Sequence, residues 1–321
     1  MISLDEKMFD PESRVSKRMI EYGKKEKIYI LIPSQQKKDL RLSQNVRVFG
    51  SGGNKIQQFF QLYTMGKRLI RDQDIKHITV QDPFFTALAG YLIQHGSNAS
   101  LEIQIHGDFF GSYYKKNILR GLIAKFLIHK AESIRVVSER IRESLLKLKI
   151  DQKKIEVKPI DVQLSVHVSQ TEAANFKVQF PKFQKYFLSM GRLEKVKNID
   201  FLIDLFFEIV HARHLNYFLC IVGDGSEKQN IQKKIQERGL EKNIYLHAWA
   251  DPWGFYSSAD ALLFPSLSEG YGLVAMEASS VGLAIIMNDV GVANFELKPG
   301  EKVKIISVQE KEKWIQAIES I

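Results

Sequence analysis

The sequence predicts an α/β protein built from two parallel-sheet domains. Three observations predict it. The chain has 321 residues, 45% of them apolar. Short apolar runs alternate with amphipathic segments almost throughout, and one irregular polar stretch interrupts that alternation near the middle. At roughly 100–200 residues per domain, this length allows two domains, each with a core of its own.

In the first half, β-rich runs fall at residues 27–32, 77–80, 102–106 and 133–137. Helical patterns separate them at 56–70, 85–94, 113–129 and 139–147. Apolar runs divided by amphipathic segments read as βαβ units, hence a parallel sheet. The second half repeats the scheme. Strands are expected at 186–190, 217–222, 244–247, 261–264 and 284–287, and helices at 199–211, 227–238, 271–281 and 310–321. Residues 163–182 are polar and aperiodic, which places the boundary there. The expected domains are 1–165 and 166–321.

Composition excludes several classes. The single cysteine, Cys220, rules out an internal disulfide framework and a cysteine-based zinc site. It lies in the run Phe218-Leu219-Cys220-Ile221-Val222, so it reads as a buried, inert thiol suited to a reducing compartment. The start already carries Asp5, Glu6 and Lys7, unlike a signal peptide. No stretch approaches the ~18 apolar residues of a membrane span. The expected location is cytoplasmic, with the inner face of the cell membrane as a candidate surface. Net charge is +9 and unevenly spread: residues 1–160 hold 29 Lys and Arg against 17 Asp and Glu, and the remainder hold 17 against 20. The basic half therefore suits an anionic partner.

Three segments of the second half carry chemistry. In Met190-Gly191-Arg192-Leu193-Glu194-Lys195-Val196-Lys197-Asn198, a strand ends at a glycine and basic residues follow just before a helix. Basic side chains and a helix N-terminus beyond a strand's carboxyl end suit a diphosphate; a solvated loop with incidental lysines is the alternative. In Val222-Gly223-Asp224-Gly225-Ser226, glycines permit a tight turn and close backbone approach, although a plain strand-to-helix turn explains the run almost as well. The third segment is the most specific: Pro265-Ser266-Leu267-Ser268-Glu269-Gly270-Tyr271-Gly272-Leu273-Val274-Ala275-Met276-Glu277-Ala278. It follows a buried strand, and free N–H groups at the helix start can hold a phosphate or sugar oxygen. Glu269 and Glu277 can accept hydrogen bonds from vicinal hydroxyls.

Two glutamates separated by seven residues within Pro-Ser-x-x-Glu-Gly-Tyr-Gly-Leu resemble the signature of the family 4 glycosyltransferases, retaining enzymes of the GT-B fold. The Gly191-Arg192-Leu193…Lys197-Asn198 segment is similar to that family's diphosphate loop, and Val222-Gly223-Asp224-Gly225 and Ser258-Ala259-Asp260 fall at matching places. The resemblance implies two Rossmann-like domains facing across a cleft. It implies a nucleoside-diphosphate sugar as donor, a saccharide or lipid-linked acceptor, and no cofactor. It assigns Arg192 and Lys197 to the diphosphate, Glu269 to the transferred sugar and Glu277 to the ribose. Gly191, Gly223, Gly270, Tyr271, Gly272 and Leu273 would line the phosphate and sugar, with His247 near the base. In the first half, His106 of Ile105-His106-Gly107-Asp108 resembles the family's histidine close to the sugar. No Asp-x-Asp triplet is expected in the chain, and cationic side chains could replace a divalent ion at the diphosphate, so transfer without a metal is expected. The chain departs from the family pattern at Gly282-Leu283-Ala284, where a proline is usual.

Residues 113–130 form a basic amphipathic segment, with apolar pairs at 118/119, 122/123 and 126/127 and Lys115, Lys116, Arg120, Lys125 and Lys130 around them. Packing of that stripe into the first domain is the stronger expectation, with lysines at the rim able to meet an anionic membrane surface. Two other readings remain at this stage: an inactive nucleotide-sugar-binding partner subunit, and an epimerase or phosphorylase on the same fold. Nucleic-acid binding has no motif beside the charge to support it.

Overall fold

The computed structural model describes residues 1–108, 118–160 and 176–321, with the side chains of 118–120 outside the description. Two compact units separate by their contacts. One comprises Met1–Val137 with Ile141–Lys158, and the other Ser138–Arg140 with Pro159–Ile321.

The first unit contains α1 (Arg14–Gly23), β1 (Ile28–Ile32), β2 (Lys37–Ser43), β3 (Val46–Ser51), α2 (Lys55–Gln73), β4 (His77–Val80), α3 (Phe85–Gln94), β5 (Ser100–Ile105), α4 (Ile118–Lys130), β6 (Ser133–Val136), α5 (Glu139–Lys147) and β7 (Ile155–Val157). Strands β4-β5-β6-β7 form a parallel sheet, while β1-β3-β2 form a smaller one in which β2 runs antiparallel. The antiparallel hairpin departs from the purely parallel expectation. Its β2 is an exposed edge rich in Lys37, Lys38, Asp39 and Arg41, so it carries no apolar run to read. Arg47 and Asp39 pair across the hairpin at 2.6 Å. Helix α1 was likewise unexpected; Ser13 caps it by accepting from the Ser16 N–H. Helix α2 begins at a capping box formed by Asn54 and Gln57.

The parallel sheet of this unit is one-sided. Ile78, Val80, Leu101, Ile103, Ile105, Ile134 and Val136 are buried on one face. The alternate positions are polar: Thr79 donates to Glu102 at 2.8 Å, and Gln104 donates to both. Parallel sheets normally bury both faces under crossover helices, so this polar face is a departure. Between the two sheets, Ile2 bridges Leu31 of β1 and Val80 of β4, parallel to each.

Helix α4 corrects the expected packing of its apolar pairs. Ala124, Leu127, Ile128 and the following Ala131 are buried, a stripe at helical spacing, whereas Leu122, Ile123 and Phe126 face outward. The helix needs only one stripe to cover the sheet, and the second is left over. The expected start at residue 113 lies outside the described residues.

The second unit contains α6 (Phe176–Gln179), β8 (Lys185–Met190), α7 (Ile199–Phe207), β9 (Tyr217–Val222), α8 (Lys228–Glu237), β10 (Ile244–His247), α9 (Trp253–Ser258), β11 (Ala261–Phe264), α10 (Leu273–Ser280), β12 (Ala284–Met287), β13 (Val303–Ile305) and α11 (Lys311–Glu319). Its six strands are all parallel, in the order β10-β9-β8-β11-β12-β13. Here both faces are covered. All six residues of β9 are buried, and Phe187, Leu202, Phe206, Ile231 and Trp314 share one core. Cys220 of β9 is fully buried, its thiol pushed up to about 12 by that burial. Asp260 closes the sheet's lower edge: it accepts from the Tyr186 N–H and from Lys177, both at 2.7 Å.

Candidate active site

The strand order of the second unit reverses at β8. The chain moves outward from β8 through β9 to β10, then returns to β11 on the other side. Ligands of open α/β sheets bind beyond the strand ends at such a reversal. The ends that meet there are Met190-Gly191 of β8 and Phe264-Pro265 of β11. They frame a small crevice of about 10 Å³ lined by Gly191, Arg192, Lys197 and Ser266. A cavity of about 560 Å³ lies in the first unit, with His106 in its lining.

Backbone contacts lock three strand-end loops together. Leu193 donates to the Asp224 carbonyl at 2.8 Å, Gly191 to Val222 at 3.0 Å and Gly223 to His247 at 3.0 Å. A Cβ on Gly223 would stand 2.0 Å from the Gly191 oxygen, and one on Gly225 would stand 2.4 Å from the Leu193 oxygen. Both glycines are thus required by the closeness of the β8 and β9 loops. Glu194 reinforces the junction by accepting from Ser226 Oγ at 2.8 Å, and that contact lowers the Glu194 pKa.

The β8 loop is also tied to the β11 loop. Leu267 donates to the Val196 carbonyl at 2.8 Å, and Asn198 Nδ2 to the Pro265 carbonyl at 3.4 Å. Asn198 itself adopts a left-handed conformation, φ 55°, which turns the chain into α7. These ties bring Lys197 Nζ to 2.5 Å from Glu269 Oε1, with side chains only 18% and 12% exposed. Two residues distant by 72 in sequence therefore form a shielded ion pair at the switch point. Arg192 is exposed beside it.

Helix α10 begins on the same strand end. Gly272 starts it at φ 99° and no side chain caps it. Ala275 N–H already donates to the Gly272 carbonyl at 3.0 Å, which leaves the Leu273 and Val274 N–H groups of the first turn for an acceptor. Gly270 lies in the approach to this helix, and Leu273 at its start is exposed. Tyr271 is different: its ring is buried, and its carbonyl accepts from Val292 at 2.8 Å. Further along, Glu277 accepts a 2.7 Å hydrogen bond from the Tyr256 hydroxyl. Tyr256 is buried, and burial followed by the Glu277 charge raises its pKa. His247 ends β10, with Nδ1 2.6 Å from the Ala248 carbonyl and its ring 5.1 Å from Phe255. The neighbouring Trp249 is exposed, which excludes it from the core.

His106 belongs to the first unit, at the end of β5. Its Nε2 lies 3.3 Å from Gln104 Oε1, and its pKa is lowered by desolvation, then by Arg135 and Arg18. Asp82, another strand-end residue, orders the start of α3 by accepting from Phe84 and Thr86. The expectation that the chain holds no Asp-x-Asp triplet is corrected: Asp72-Gln73-Asp74 is one, at the end of α2, where Asp72 pairs with Arg71 and Asp74 with Lys76 on the surface.

Sequence reading missed Tyr256 and Asn198. Tyr256 lies in Trp253-Gly254-Phe255-Tyr256, an apolar run that gives no sign of a polar partner in α10. Asn198 closes the expected diphosphate loop, but its tie to Pro265 exists only in three dimensions.

Residues 170–321 match the family described as Glycosyl transferases group 1. The chain is 32% identical over 105 residues to the O-antigen biosynthesis glycosyltransferase WclY of Escherichia coli, covering 32% of this chain and 28% of that protein. The matched stretch is thus well under half of the relative's length. Among solved structures, sucrose-phosphate synthase from Thermosynechococcus elongatus superposes with a TM-score of 0.78 at 18% identity, covering 100% of this chain and 89% of that one. HepE of Anabaena, in complex with UDP, gives 0.76 at 15% identity, covering 99% and 88%. The reversed strand order, the locked glycine loops and the family match agree: the chain has a GT-B fold, and its residues 170–321 are a domain of the group 1 glycosyltransferases.

Proposed function

We propose that the chain transfers a sugar from a nucleoside-diphosphate sugar to a saccharide or lipid-linked acceptor, with retention of anomeric configuration and without a divalent metal. The observation that carries this reading is the Lys197–Glu269 pair at the switch point, beside the uncapped start of α10. A donor diphosphate placed there meets Lys197, Arg192 and the first N–H groups of α10. These cationic and dipolar groups stabilise charge on the leaving diphosphate, the task a metal performs elsewhere. Glu269 holds the sugar hydroxyls, and Glu277, fixed by Tyr256, holds the ribose. Gly191, Gly223, Gly270 and Gly272 let the backbone come close, while Tyr271 contributes through its main chain. His247 flanks the base and His106 hydrogen-bonds the sugar. In a retaining reaction of this kind the acceptor hydroxyl attacks on the face the diphosphate leaves. Its proton passes to that phosphate, so positioning replaces a protein nucleophile. The HepE complex with UDP and a further one with UDP-glucose support a nucleotide-sugar donor by analogy of fold.

The test is incubation with UDP-, GDP- and ADP-sugars, in chelator, with the product anomer read by NMR. Retention is expected in chelator, and Glu269→Gln should lower turnover by about 10² or more while nucleotide affinity is kept. An inverted anomer, or activity restored only by a divalent ion, overturns the mechanism.

The same proposal places an anionic membrane surface against the first unit. Among the described residues no helix is long and apolar enough to cross a membrane. Phe60 and Ile56 of α2 and Leu122, Ile123 and Phe126 of α4 are nonetheless exposed, Phe60 by 63% and Leu122 by 60%. Lys55, Lys125 and Lys130 are exposed on the same helices. Apolar side chains ringed by lysines suit a lipid interface.

A further inference from the structure

The cavity of about 560 Å³ in the first unit has β1 and β4 in its walls. We propose that it is a strand-acceptor slot, which takes an extended polypeptide segment running in line with Met1 and amide-linked to it, parallel to both strands.

The backbone register prescribes this occupant. Ile2 already sits between the strands as a parallel bridge to Leu31 and Val80. Leu31 donates to the Met1 carbonyl at 2.9 Å, Ser3 to Leu31 at 3.0 Å, Ile2 to Thr79 at 2.8 Å, and the Met1 amino group to the Tyr29 carbonyl at 2.7 Å. Alternation along a strand then fixes which groups point into the gap beyond Met1. Ile28 donates toward β3, through Asn45, so odd-numbered residues of β1 face the slot. The Lys76 carbonyl accepts from Ser100 of β5, so odd-numbered residues of β4 face it as well. Tyr29 N–H, Thr79 N–H and the His77 carbonyl therefore open on the cavity, and among the described residues no protein group meets them. They are spaced to receive the next residues of the strand that Met1 and Ile2 begin. An extended segment in this register meets all three groups with backbone partners of its own.

The walls give the segment its side-chain pattern. The cavity extends over the levels of Tyr29 and Ile78, Ile28 and His77, and Lys27 and Lys76, about 10 Å at ~3.3 Å per residue. The lining includes Met19, Leu69, Ile70 and Ile93, so the walls call for apolar side chains on the segment. Filling the slot joins β1-β3-β2 and β4-β5-β6-β7 into one sheet. It also replaces the Met1 ammonium, whose pKa burial lowers to about 6, with a neutral amide.

The test compares the chain itself with two forms extended ahead of Met1, one by five alternating apolar residues and one by five Gly-Ser residues. The apolar extension should raise Tm by about 3 °C or more over both other forms and slow amide exchange at Tyr29 and Thr79. Equal melting of the two extended forms overturns the proposal. So does a Tm gain without protection of those two amides, because the added residues would then be stabilising from elsewhere.

Discussion

Replacing Gly223 by alanine tests the loop junction on which the site depends. The added Cβ would stand 2.0 Å from the Gly191 carbonyl oxygen and 3.2 Å from its carbonyl carbon, both backbone atoms. Reaching ordinary contact requires the β8 and β9 loops to part by about 1.4 Å. They cannot part freely, since Gly191 and Gly223 are each held by a 3.0 Å backbone hydrogen bond at the strand ends. Overpacking of this kind costs about 1–3 kcal/mol. Displacing a positioning loop by about 1 Å lowers catalysis by about 10². The expected outcome is a lower Tm, turnover reduced by about 10², and weaker nucleoside-diphosphate affinity by calorimetry. Gly300→Ala serves as the control, because nothing lies within 4 Å of its added Cβ; its stability should stay within about 0.5 kcal/mol. A Gly223→Ala protein with unchanged Tm and turnover would refute the packing argument.

Two further outcomes follow. Tyr256→Phe removes the 2.7 Å hydrogen bond that aims Glu277, so donor KM should rise about tenfold with kcat little changed; steady-state kinetics showing an unchanged KM would count against Glu277 as a donor contact. The Met1 amino group has a folded pKa of about 6 against an ordinary 8.0, lowered by burial and opposed by Glu26. The unfolded chain thus binds more protons between those values, and stability should rise from pH 6 to pH 8 by up to about 2.7 kcal/mol. Arg18, Glu26, Lys27, Lys76, His77, Glu102, His106 and Arg135 line the same cavity, and His106, with its own lowered pKa, adds a rise of the same sign. Denaturation of the chain and its N-acetylated form across this range separates the two, since acetylation should remove most of the rise.

The second unit was far more legible than the first. Its strands are buried on both faces, so Phe218-Leu219-Cys220-Ile221-Val222 and Ala261-Leu262-Leu263-Phe264 stand out as uninterrupted apolar runs. Strand-end glycines with fixed steric duties, Gly223 above all, mark where the loops lie. The first unit hides its design. Its β5 reads Ser100-Leu101-Glu102-Ile103-Gln104-Ile105, an alternating pattern in a parallel sheet with one polar face. The hairpin strand β2 is a charged edge, and α1 depends on a Ser13 cap rather than a long apolar stripe. In α4 the apolar doublets were visible, yet which of them turns inward is decided by the sheet beneath. The Tyr256–Glu277 contact joins residues from different helices and leaves no local signature.

The charge arrangement at the switch point bears on what Glu269 can do in the proposed reaction. Lys197 and Glu269 neutralise each other at 2.5 Å, both largely shielded from water. Removing one partner of a shielded pair strands the other, which is more costly than the pair itself. A donor avoids that outcome by supplying both replacements at once. Its diphosphate takes Lys197, and its sugar hydroxyls take Glu269, so a single binding event reassigns two charges without leaving either alone. A free nucleoside diphosphate offers only the first half of the exchange and must leave Glu269 without its lysine. Glu269→Gln abolishes that conflict. It frees Lys197 for phosphate while removing the carboxylate that orders the sugar, which is why nucleotide affinity should be kept or gained as turnover falls. The same logic argues against Glu269 as a covalent nucleophile. A carboxylate held by a lysine until the sugar arrives, and by hydroxyl donors afterwards, is built to accept hydrogen bonds.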